Sequence, residues 1–136
     1  MIDKFFMSLE KRVDIYLICP VRNATEEEKR ILDKYVQDTE ASGELVHYPP
    51  RDVDQTDDGI GFKICDNHRK AIRGCKRIDI YWNNSSQGSF FDIGMGIMAG
   101  KQFRQLNPLQ EINLQNFLSP YLDYSWVDKR KNEIES

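Results

Sequence analysis

The chain has 136 residues, and its 19 Lys and Arg against 22 Asp and Glu leave a net charge of -3. That length suits one domain with a self-sufficient core, and so balanced a charge gives no field that would attract nucleic acid. No apolar run approaches the roughly 20 residues of a spanning helix, and the opening MIDKFFMSLEKRVD lacks a signal peptide's apolar stretch and cleavage site, so the expectation is a cytoplasmic protein without a membrane partner.

Residues 13–19, VDIYLIC, form a short apolar run rich in β-branched and aromatic residues and closed by Pro20, which predicts a central buried strand. Thr25 followed by Glu26, Glu27 and Glu28 has capping-box spacing, so a helix is predicted from there to about Ala41, with Ile31, Leu32, Tyr35 and Val36 facing inward and Gly43 as its stop. Residues 44–48, ELVHY, read as a second strand closed by Pro49 and Pro50, and the polar RDVDQTDDGIG reads as a loop. Residues 64–72 have helical spacing, with Ile64, His68, Ala71 and Ile72 available for one face and Gly74 as the stop. A third strand is predicted over 77–82. It is followed by SSQGSFFDIGMGIMAGK at 85–101, a loop that turns at Gly88 into a helix. A fourth strand in QFRQLN, a short helix at 114–118 and a frayed tail DKRKNEIES complete the reading. Strand and helix alternate three times, the signature of an α/β fold: a small doubly wound parallel sheet, Rossmann-like or flavodoxin-like, with helices on both faces. A single domain is expected over 1–136, with its core at about 13–127 and a charged tail at 128–136. Cys19, Cys65 and Cys75 are odd in number and lack CxxC spacing, so neither disulfides nor a zinc site is expected, and all three read as buried thiols. No metal or cofactor is expected.

In an open parallel sheet, ligands bind beyond the carboxyl ends of the strands. The segments predicted to meet there are 16–23, the loop after Tyr48, and 83–92. The loop 85–89 is rich in hydroxyls and opens a helix whose free N–H groups suit an anion; alternatively Ser89 simply caps its own helix. Asp92 is placed in the first turn, where the macrodipole favours a carboxylate. Gly94 and Gly96 clear space beside it for a flat ring or for a partner helix.

GSFFDIGMGIMAGK resembles the G-x-x-x-E-x-G-x-A segment of the nucleoside 2-deoxyribosyltransferase family, IYLICPVR resembles its opening strand, and ICDNHRKAIRGCKRIDIYW is similar to the helix and strand that precede the family's glutamate. Together these cover roughly residues 13–101, in pattern and spacing more than in identities. Some members of that superfamily cleave the N-glycosidic bond of nucleoside 5′-monophosphates.

The resemblance implies a carboxylate nucleophile that attacks C1′ of the sugar, and Asp92 stands at that position, one methylene shorter than the family's glutamate. Tyr16 matches a tyrosine whose hydroxyl lies near the nucleophile. His68 falls where the family has an aspartate that contacts the leaving base, with Asp66 two residues earlier; a histidine there can still protonate a base. Ser86 matches a serine that holds the 5′-phosphate, Gly88 and Ser89 add backbone donors, and Arg22 is a second phosphate contact. In the family a neighbouring subunit completes the pocket, which implies a homodimer or larger homo-oligomer; Tyr121, Tyr124 and Trp126 would serve that purpose or cover the sheet edge. The expected ligand is a nucleoside or nucleotide.

The chain has no GxxxxGK[ST], no GxGxxG after a strand, no HExxH and no GxSxG, so the reactions built on those motifs have no support. Three readings remain: an enzyme acting on an N-glycosidic bond, a non-catalytic nucleotide-binding or sensing module of the same fold, and an oligomeric scaffold.

Overall fold

Four successive apolar residues, Ile15–Ile18, form β1, and all four are completely buried. A strand apolar at every position has to be covered on both sides, which is the condition of a central strand in a parallel sheet. The computed structural model describes residues 13–53, 62–83, 87–107 and 119–123, and β1 lies inside a five-stranded, all-parallel sheet ordered β2-β1-β3-β4-β5. The other elements are α1 (Glu26–Ala41), β2 (Val46–His47), α2 (Pro49–Asp52), α3 (Phe62–Gly74), β3 (Arg77–Ile80), α4 (Gln87–Met98), β4 (Phe103–Gln105), a 3-10 turn (Ser119–Tyr121) and β5 (Leu122–Asp123). This is the flavodoxin-like order of the doubly wound fold. The expected helix at 114–118 and tail at 128–136 lie outside the described residues, as do Tyr124 and Trp126. Pro49 and Pro50, expected only to close a strand, open the one-turn α2, where a missing N–H costs nothing.

Alternation along β1 sorts the core into two layers. Tyr16 and Ile18 join Ile72, Ile78, Ile80, Ile93 and Phe103 beneath α3 and α4. Ile15, Leu17 and Cys19 join Leu32, Tyr35, Val36 and Val46 beneath α1. α1 starts where predicted: the Thr25 hydroxyl accepts from the Glu28 N–H at 3.1 Å, and the Glu28 carboxylate accepts from the Thr25 N–H at 3.0 Å. It ends before Gly43, whose φ of 103° favours glycine. Two of the three cysteines are buried, but Cys65 is exposed, a correction that follows from its place on the outer side of α3.

The layer under α1 also holds charge. Asp79, fully buried on β3, accepts from Arg104 at 2.7 and 2.6 Å, from Arg77 at 3.4 Å and from the Tyr35 hydroxyl. Arg77 in turn forks onto Glu44 at 2.8 and 3.1 Å. The cluster links α1, β3, β4 and the segment before β2, so it clamps the sheet's register. Removing Asp79 would take the fully buried carboxylate from two guanidiniums that are themselves mostly shielded from water. Asp79→Ala is therefore expected to cost about 3 to 5 kcal/mol, read as a lower urea midpoint at unchanged slope.

Candidate active site

The chain leaves β1 toward β2 on one side and reaches β3 on the other, so the strand order reverses between β1 and β3. At such a point the loops beyond the two strands diverge and open a crevice. Here the loops are tied across it by Asn83, whose amide donates to the Asn23 carbonyl at 3.4 Å. The end of β3 is fixed by Asn107, which accepts from the Trp82 N–H at 2.8 Å and donates to the Trp82 carbonyl at 2.6 Å.

α4 packs across the sheet above Ile78, Ile80 and Phe103. It begins at Gln87, earlier than predicted, so Ser89 lies inside the first turn and is 2% exposed instead of capping the helix from outside. Asp92 becomes the sixth helical residue, and the first turn contains no acid. The macrodipole expected to favour Asp92 acts mainly within the first turn and contributes little there. Direct hydrogen bonds take its place.

Asp92 is buried, at 6% exposure, and both of its oxygens are engaged. The Tyr16 hydroxyl donates to Oδ2 at 3.0 Å, and His68 Nδ1 lies 3.1 Å from Oδ1. These contacts join β1, α3 and α4, and they gather Tyr16, His68 and Asp92 from three separate parts of the chain. Burial, followed by the neighbouring carboxylate, pushes the Tyr16 phenol well above its ordinary range, so it stays protonated and can only donate toward Asp92. A carboxylate facing Nδ1 selects the tautomer with its proton there, which leaves Nε2 of a neutral imidazole as an acceptor. That Nε2 is buried and has no hydrogen-bond partner among the described residues.

His47 was not among the residues singled out from sequence. It pairs with Tyr16 in register between β2 and β1, so the two side chains share a face, and their rings stack at 5.1 Å with 15° between planes. His68 meets the same tyrosine edge-on at 5.9 Å. Both histidines of the chain thus flank one phenol. Alternation in ELVHY was the available signal, since it places His47 on the face opposite Val46. Cys19, at the end of β1, has its thiol pushed up by burial and then by Asp92, so it remains a neutral, unreactive SH.

The other candidates lie apart from this cluster. Asp66 spends its carboxylate on its own helix, with Arg69 at 2.7 Å and Lys70 at 3.0 Å. Arg22 is exposed in the turn after β1, and Gly88 is exposed in the first turn of α4 with open space where a side chain would project. Ser86 lies outside the described residues, as does Ser85. Phe90, half exposed, sets its ring edge-on against Trp82 at 5.0 Å beside the start of α4.

The glycines of α4 divide by face. Gly94 is exposed and borders open space, as expected of a residue that clears room. Gly96 instead faces the sheet, and a methyl group there would stand 2.4 Å from Ile78 Cδ1 and 2.7 Å from Phe103 Cζ. Its space is already occupied by the protein's own core, which corrects the expectation of a surface opened for a ligand or partner. Gly100, at φ 71°, turns the chain out of the helix.

Among the described residues, no group of His, Cys, Asp and Glu is arranged to hold a metal ion, and no helix is long and apolar enough to cross a membrane. Compared with known proteins, the chain matches no family model and no curated sequence.

Proposed function

We propose that the protein cleaves or exchanges the N-glycosidic bond of a nucleoside or nucleoside 5′-monophosphate, with Asp92 as nucleophile. The observation that carries this reading is a buried carboxylate held at both oxygens by a phenol and an imidazole beside the switch point of a parallel sheet. One oxygen of Asp92 attacks C1′ as the C1′–N bond breaks, and an imidazolium proton on His68 Nε2 passes to the departing base nitrogen. Water, or a second base, then attacks C1′, the ester bond to Asp92 breaks, and His68 Nε2 takes the nucleophile's proton. Tyr16 donates to the carboxylate and fixes its plane. A 5′-phosphate would be met by Ser86, the N–H groups of Gly88 and Ser89, and Arg22.

A second reading has its own support. Asp92 is nearly inaccessible and both oxygens already accept hydrogen bonds, which suits a nucleotide-binding or sensing module as well as a nucleophile awaiting its substrate. Asp92→Asn separates the two. As an isostere it is expected to keep the melting temperature within a few degrees while base release, measured across the common nucleoside monophosphates and nicotinamide mononucleotide, falls by about three orders of magnitude. A wild type that binds a nucleotide and releases no base establishes the binding module.

The role of His68 is read from the leaving group. Nicotinamide departs from its nucleotide already neutral and needs no proton, whereas a purine does. His68→Gln is expected to slow purine release by about 100-fold and nicotinamide release far less. Equal losses on both would assign His68 to holding Asp92 alone.

We also propose a cytoplasmic homodimer or larger homo-oligomer. α4 presents Phe91, 72% exposed, and Met98, 88% exposed, on the same stripe as Gly94. Apolar groups this exposed are covered at little cost by a second copy. Light scattering at micromolar concentration is expected to give at least twice the chain mass of 16.0 kDa, and a clean monomer would remove the proposal.

A further inference from the structure

Asp92 and Gly96 are four residues apart on α4, so they lie on one face about 6 Å apart along the helix axis. Gly96 rests against Ile78 and Phe103. Ile78 is the residue of β3 directly opposite Tyr16 of β1. The point at which α4 touches the sheet is therefore immediately beside the residue that Asp92 must reach.

Aspartate has one methylene between its backbone and its carboxyl group. Its 3.0 Å contact with a phenol rooted in the central strand exists only if the helix sits low. An ordinary carbon–carbon contact is about 3.5 to 4.0 Å. The 2.4 Å that a methyl at position 96 would leave to Ile78 Cδ1 falls short of this by about 1 Å or more. Ile78 and Phe103 are both wholly buried and packed, so they have little room to yield. The helix would have to rise, by close to the length of one carbon–carbon bond, about 1.5 Å.

We propose that Gly96 is a positioning residue: the side chain it lacks seats α4 deeply enough for an aspartate to reach Tyr16 and His68. The depth of the helix and the length of the acid form a matched pair. Gly96→Ala lifts Asp92 off Tyr16, and Asp92→Glu, which is too long in the native seat, fits the raised helix.

The test has one arm that does not depend on catalysis and one that rests on the proposed function. In the first, urea midpoints are measured for wild type, Tyr16→Phe, Gly96→Ala and the double variant. The midpoint loss caused by Tyr16→Phe is expected to shrink to less than about half in the Gly96→Ala background, because the hydrogen bond is already gone. It should return to its full size when Asp92→Glu is added. Additive losses overturn the proposal, and so does a coupling that Asp92→Glu fails to restore. If Gly96→Ala alone yields too little folded protein, Gly96→Ala/Asp92→Glu is expected to fold and to show the full Tyr16→Phe loss; a pair that does not fold, or a loss less than about half the full size, overturns the proposal.

In the second arm, base release is expected to fall about 100-fold in Gly96→Ala, to fall also in Asp92→Glu, and to recover most of the wild-type rate in Gly96→Ala/Asp92→Glu. A merely structural glycine would give losses that add, and that result overturns the proposal. If the wild type releases no base, the enzymatic reading fails, and the unfolding cycle still decides the role of Gly96.

Discussion

The hydroxyl of Tyr16 has to be satisfied without water, and much of the molecule is arranged around that need. Tyr16 belongs to a strand buried at every position, and its phenol, lacking any exposure, must find an acceptor inside the protein. Asp92 is that acceptor. A buried carboxylate brings a demand of its own, and His68 supplies a second donor from α3. Each polar group makes the next one necessary, and the sequence of demands ends at His68 Nε2, which has no partner among the described residues. The hydrogen bonds that run from Tyr16 through Asp92 to His68 thus stop at a buried ring nitrogen.

The same arrangement explains why three elements distant in sequence come together. The crossovers from β2 to β3 and from β3 to β4 lay α3 and α4 side by side over β1 and β3, so a residue of each can reach the phenol between them. The right-handed connection of parallel strands makes this geometry a property of the fold. What belongs to this chain is how it uses the geometry, with an aspartate bonded to the phenol, a second ring stacked on the tyrosine, and a helix pressed against the sheet at a glycine.

Much of the architecture could be read from the residues, because β1, the α1 capping box and the alternation of strands and helices are local patterns with few competing solutions. The strand in QFRQLN forms over Phe103–Gln105 as expected. The start of α4 was read too late because the hydroxyls of SSQGS each offer themselves as a cap, and local chemistry does not choose among them. Gly96 departs from its expected place for a different reason. Helical periodicity already placed Gly96 on the face of Asp92, but whether that face looks toward ligand or toward core depends on how closely α4 meets β3 and β4, a tertiary fact. His47 escaped notice because a histidine in a two-residue strand acquires meaning only once the register with Tyr16 is known.

The ionic cluster around Asp79 lies on the opposite side of the sheet from Asp92, separated from it by the full thickness of the strands. Consecutive residues of β3 point to different layers, so the strand serves two tasks that share a backbone but no side chain. A buried ion pair can be exchanged for apolar residues of similar volume with little loss of stability. The two sides of the sheet are thus free to diverge separately. Descendants of this chain could trade Asp79, Arg104 and Arg77 for an oily layer while Tyr16, His68 and Asp92 stay in place, or lose the carboxylate and keep the clamp.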